Sequence, residues 1–203
     1  MTAVGSLQEK YVPRDIVLPD QFLDRTSRRT EHTFFGQGIC AHVAFGEPVS
    51  AGLREVLFQS ASGLHEGSVH NGGTYVNMDG PAFSTRAESL LNHKLGFDVI
   101  GMTNLAEAKL AREAEVSLAT LAMITDYDCW KTDEEAVTAE AVIAHLNANA
   151  AAAKDIIADV IPRIPDKANW PEHAALDNAL VTDAGLWPEK TKLKLKPIIG
   201  RFF

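Results

Sequence analysis

Two carboxylates two residues apart, Asp126 and Asp128, directly follow the apolar run from Val116 to Ile124. On an extended segment, residues i and i+2 project to the same side. Just beyond a strand, both can face one cleft. Like charges held that close repel, so one carboxyl retains its proton more readily. Such a pair both donates and accepts hydrogen bonds. A solvated acidic turn accounts for the same residues. A second junction is Met102-Thr103-Asn104, between an apolar run and a helical pattern. A helix N-terminus offers free N–H groups and partial positive charge, and Thr103 adds a hydroxyl, a combination that suits phosphate. Simple capping by Asn104 is the plainer explanation, and spacing alone favours it. A third segment, Gly80 to Glu88, reads as a turn entering a capped helix. Its Phe83 either packs in the core or offers a ring to a planar ligand. Spacing alone does not separate these three segments from ordinary structural junctions.

The elements that must position them are short. Asp15 to Leu18, Ile39 to Val43, Thr74 to Met78, Phe97 to Met102 and Val116 to Ile124 read as strands. Ser50 to Ala61 has helical spacing. Thr85 with Glu88 is a T-x-x-E capping pattern that starts a helix at Arg86, and Gly96 stops it. Asn104 with Glu107 and Thr132 with Glu135 repeat the pattern. The Ala-rich stretch after Glu135 predicts one long helix with Val137, Ala141, Leu146, Ile157 and Ile161 on its apolar face, ended by Pro162 and Pro165. Alternating strands and helices predict an α/β fold in a single domain over residues 1–203. The tail, 166–203, is richer in Pro, Trp and Lys and has weak periodicity.

Composition narrows the function classes. The 203 residues carry a net charge of −8, which argues against a nucleic-acid or anionic-membrane surface. Cys40 and Cys129 are the two cysteines, and the seven histidines are scattered, so neither a zinc site nor a disulfide framework is expected. No apolar run has the length of a membrane span, and the N-terminus lacks the pattern of a signal peptide. A cytoplasmic location is the expectation.

Taken together, GPAFSTRAES, GFDVIGMTNLAEAKLAREAE and LAMITDYDCWK resemble consecutive motifs of the 5'-methylthioadenosine phosphorylases, in the trimeric purine nucleoside phosphorylase group. AVGSL, DQFLDRT and GEPVS fit the same order, and the resemblance covers roughly residues 2–160. It implies a phosphorylase/hydrolase-like α/β fold, with a mixed central sheet flanked by helices, and a homotrimer. It implies phosphorolysis of methylthioadenosine to adenine and 5-methylthioribose 1-phosphate, with no metal or organic cofactor. By motif, Asp126 and Asp128 would be the catalytic pair on the purine. Phe83 and Ser84 would line the base pocket, and Met102 would lie against the ribose. Thr2, Ala3 and Thr103 would contact phosphate. His42 would reach a neighbouring subunit's site, and Ala139, Val142 and Ile143 would line the methylthio pocket.

Family members usually begin with a Gly-rich phosphate turn and an Arg-His segment that precede the point matching residue 2. The expectation is therefore an N-terminally incomplete fold that binds adenine better than it turns over nucleoside. Two other readings follow. A 6-oxopurine nucleoside phosphorylase is disfavoured by Asp128, which would repel a 6-carbonyl. A non-catalytic adenine-binding or assembly fragment is the alternative of another class.

Overall fold

A computed structural model describes residues 1–27, 31–132 and 139–203. Among the described residues seven strands form one mixed sheet: β1 (Thr2–Ser6), β2 (Ile16–Leu18), β3 (Gln21–Asp24), β4 (Val69–Asn71), β5 (Thr74–Asn77), β6 (Val99–Gly101) and β7 (Ala122–Tyr127). Their order is β3-β5-β6-β1-β7-β2-β4. β1 runs parallel to β7 and antiparallel to β6, so these three strands form the middle of the sheet. The helices are α1 (Ala51–Leu64), α2 (Arg86–Lys94), α3 (Leu105–Glu113), α4 (Ala139–Val160) and α5 (Glu189–Ile199). Among the described residues no helix is long and apolar enough to cross a membrane.

The main core lies where α1 and α4 cover the sheet. Leu57 and Ala61 of α1 and Ala153, Ile156 and Val160 of α4 pack on Ile16, Leu18 and Met123. Toward its C-terminal end the apolar face of α4 differs from the one the sequence suggests. Ile157 and Ile161 are exposed, because the register that seats Ile156 turns them outward. Pro162 does end α4, in a short 3₁₀ turn over Ile161–Arg163. Val137 and Glu135, with the third capping pattern, lie outside the described residues, as do the side chains of Ala139, Ala141, Val142 and Leu146.

Two strand boundaries differ from expectation. The ladder of β7 begins at Ala122 and runs on through Asp126 and Tyr127, which pair with Gly5 and Ser6 after a bulge at Val4/Gly5. Polar residues continue this strand because β1 continues beside them. Ile39 to Val43 forms no strand. A single bridge joins Ala41 to Leu180 in the tail, and Cys40 and His42 donate their amides to Thr182 Oγ1 and the Ala179 carbonyl. Ile39 is buried instead against Leu176, Trp187, Leu195 and Ile199. The tail thus builds a satellite core of its own and holds the segment that carries His42.

Candidate active site

A cavity of about 570 Å³ opens where β1, β6 and β7 meet the loops before α2 and α3. The bulge at Val4/Gly5 sets its floor. Gly5 lies against both acids: a Cβ there would lie 3.4 Å from Asp126 Oδ2 and 3.5 Å from Asp128 Cβ, ordinary contact distances, and 3.3 Å from Ile100 Cγ2, the tightest of the three. Thr125 Oγ1 donates to Asp126 Oδ1 at 2.6 Å, which orients that carboxylate. Asp128 follows the strand and donates its amide to the Ser6 carbonyl. Its Oδ2 is buried and has no hydrogen-bond partner among the described residues. A buried carboxylate oxygen without a donor is costly, and a ligand N–H would satisfy it.

The capping pattern read from Thr85 and Glu88 is real and fixes a second wall. Thr85 donates through its amide and hydroxyl to Glu88 Oε2, and Glu88 N–H donates back to Thr85 Oγ1. The Thr85 amide and hydroxyl hold the Glu88 carboxyl below its usual range. The loop just before this cap carries Phe83 and Ser84. Cys129 Sγ donates to the Ser84 carbonyl at 3.4 Å, tying the loop to the segment beyond Asp128. Phe83 is 78% exposed, so its ring lies at the cavity mouth rather than in the core.

The third wall is the β6–α3 junction. Met102 and Thr103 line the cavity, and Thr103 Oγ1 lies 3.0 Å from Thr2 Oγ1. Capping by Asn104 is a correction to the sequence reading. Asn104 has φ +99 and makes no side-chain cap bond; its Oδ1 accepts from Thr120. Asn77 Oδ1 instead accepts the Leu105 amide at 3.1 Å, so the first turn of α3 is capped from β5. Gly80 also serves this wall. Its φ is +68, and a Cβ there would lie 2.5 Å from Met102 Sδ.

Thr2, Ala3, Phe83, Ser84, Met102, Thr103, Asp126 and Asp128 therefore line one cavity. His42 does not. It lines a second cavity of about 530 Å³ with Arg54, Arg112 and Glu172. Ile143 is 55% exposed and is not in the wall of the large cavity either. Gly5 and Asn77 carry no sequence signal for these roles; Gly80 opens the turn segment read from the sequence, and Cys129 stands out there only as one of two cysteines. Among the described residues no three His, Cys, Asp or Glu side chains cluster as a metal site would require.

The model of the phosphorylase superfamily matches residues 1–162. An S-methyl-5'-thioadenosine phosphorylase of Geobacter sulfurreducens is 48% identical over 202 residues, spanning 100% of this chain and 70% of that protein. One from Gloeobacter violaceus is 50% identical, spanning 99% and 68%. This chain belongs to the S-methyl-5'-thioadenosine phosphorylase family. The fold agrees with that membership. A methylthioadenosine phosphorylase from an antarctic soil metagenomic library superposes with a TM-score of 0.90 at 42% identity, covering 97% of this chain and 69% of that one. A methylthioadenosine phosphorylase from Schistosoma mansoni in complex with adenine superposes with a TM-score of 0.77 at 29% identity, covering 98% and 69%. The tail, beyond the reach of the motif resemblance, is also shared with phosphorylases of this family, since the Geobacter match takes in the whole chain.

Proposed function

We propose that the protein catalyses phosphorolysis of 5'-methylthioadenosine to adenine and 5-methylthioribose 1-phosphate, and that the large cavity takes the nucleoside. The observation that carries this reading is the Asp126–Asp128 pair beside Gly5, with Asp128 Oδ2 buried and unpartnered among the described residues. An exocyclic amino group supplies the donor that this oxygen needs. Asp126, oriented by Thr125, is assigned the purine N7.

The chemistry follows from charge. Cleavage of the glycosidic bond leaves positive charge on the sugar and negative charge on the purine. A protonated Asp126 gives or shares its proton with N7 as the bond breaks, a general-acid contribution on the order of 10²- to 10⁴-fold. Thr2, Ala3 and Thr103 are assigned to phosphate, which attacks the anomeric carbon as the base leaves. Holding the two reactants in line removes much of the entropic barrier. Phe83 and Ser84 face the base, and Met102 the ribose. No metal or organic cofactor enters the scheme.

The same reading includes a cytoplasmic homotrimer. His42 is then brought by a neighbouring copy toward the 5' substituent, with Ala139, Val142 and Ile143 forming the methylthio pocket. Its location outside the chain's own large cavity supports that assignment. The test is adenine release from methylthioadenosine by the purified protein, with and without phosphate, and with inosine as competitor. Phosphate-dependent release that discriminates against inosine is expected. Adenine release that ignores phosphate would refute phosphorolysis, and a preference for inosine would restore the 6-oxopurine reading.

A further inference from the structure

Tyr75 stands directly behind the phosphate wall and is part of neither the wall nor the proposed reaction. It lies on β5, its ring is fully buried, and Phe22 packs on it at 5.6 Å between centroids. Its hydroxyl is also buried, yet among the described residues no hydrogen bond reaches it. The Thr2 hydroxyl, the Thr103 hydroxyl and amide, and the charge of Glu107 all act on that oxygen. Gly101 makes the approach possible, because a Cβ there would overlap the tyrosine oxygen. A buried polar atom left without a partner is rare in a folded protein. Here its polar neighbours are the two threonines assigned to phosphate.

Counting protons gives the tyrosine a role. Each threonine hydroxyl has one proton to donate and can accept as well. Thr2 and Thr103 lie 3.0 Å apart, so one proton is spent between them. A phosphate in the cavity needs both protons as donors. Turning both outward leaves a threonine oxygen without the bond it accepted. The phenol, behind the pair, has a proton to give to that oxygen. Burial, the largest influence on this phenol, raises its pKa, so it remains a proton donor across the neutral range.

We propose that Tyr75 is a positioning residue for phosphate: its hydroxyl donates to the threonine oxygen of the Thr2–Thr103 pair that loses its donor, so that both threonine protons can turn into the cavity. The inference rests on the assignment of those two threonines to phosphate. It gives β5 a part in anion binding, although no residue of β5 touches the anion.

The test uses the 203-residue chain with Tyr75→Phe and Thr103→Val variants. Inorganic phosphate and adenine are each titrated into all three by calorimetry, and the thermal midpoint of each protein is recorded. Tyr75→Phe is expected to weaken phosphate by about fivefold or more, the scale of one lost hydrogen bond, with adenine affinity held within about twofold. Thr103→Val is expected to weaken phosphate as well. Phosphate binding lost in Thr103→Val but intact in Tyr75→Phe overturns this inference alone. Equal weakening of phosphate and adenine by Tyr75→Phe marks a packing role and also overturns it. Phosphate binding that survives both changes, or is absent from the parent chain, overturns the phosphate assignment and this inference with it.

Discussion

Asp128→Asn changes one atom type in a side chain whose shape and burial stay the same. Asp128 is 9% exposed, and its Oδ2 has no donor among the described residues. In the proposed complex that oxygen accepts the adenine amino group. An amide there either sets N–H against N–H or offers a neutral carbonyl in place of a charged oxygen. A hydrogen bond to a charged acceptor contributes about 1.5–3 kcal/mol, so adenine affinity should fall about 10- to 150-fold. A 6-oxopurine presents an acceptor at the same place and should gain from the new donor. The two shifts are opposite in sign, so the ratio moves further than either constant. Calorimetric affinities for adenine and hypoxanthine measure it, and kcat/KM for methylthioadenosine and inosine gives the kinetic counterpart. Asp126 and its bond from Thr125 are untouched, which keeps the base pocket otherwise intact. An unchanged adenine-to-hypoxanthine ratio would refute the assignment of Asp128 to the amino edge.

Other outcomes follow from neighbouring features. Gly80→Ala forces a side chain into φ +68 and against Met102, so the thermal midpoint should drop and nucleoside should bind more weakly than phosphate does; a silent change would show that Met102 has room to move. Asp24 is held at about 2, because hydrogen bonds from Lys109 and Thr26 together outweigh the burial that opposes them. Its contribution is present above the ordinary value of 3.8 and is lost as pH falls through about 2, so Lys109→Met should flatten the stability slope in that window, read by urea titrations from pH 5 down to 2. Trp187→Ala should cost about 3–5 kcal/mol in the satellite core. Hydrogen exchange at the Cys40, His42 and Val181 amides should then rise together, since the first two donate to the tail and Val181 of the tail donates back to the Cys40 carbonyl, and protection that persists would separate the tail from the His42 segment.

Part of the cavity wall and part of the fold around it are legible in the sequence. Period-2 spacing after an apolar run marks Asp126 and Asp128 as a pair without separating them from an acidic turn, and the structure puts both on one cavity. The capped start of α2 was readable because a capping box is local, satisfied within four residues. The cap of α3 was not. Asn104 has the right type and place, but the donor at Leu105 is taken by Asn77, twenty-eight residues back and one strand away. The segment at Ile39 looks like a strand because its side chains alternate. Its partners are tail residues, some through a threonine hydroxyl, and no short-range pattern encodes them. The C-terminal part of the apolar face of α4 was misjudged because Ala and Ile occur all around it, and only the packing against Leu57 and Met123 selects Ile156 over Ile157. Gly5 and Gly101 gave no signal at all, since what each lies against is far away in sequence.

The most direct test of the central claim is a crystal structure of this chain with adenine bound. The account predicts the purine in the cavity of β1, β6 and β7. Its N7 should lie within hydrogen-bond distance of Asp126, its amino group should lie against Asp128 Oδ2, and Phe83 should close over the ring. Adenine seated in the second cavity beside His42 and Arg112, or in the first with its amino group turned away from both carboxylates, would contradict it.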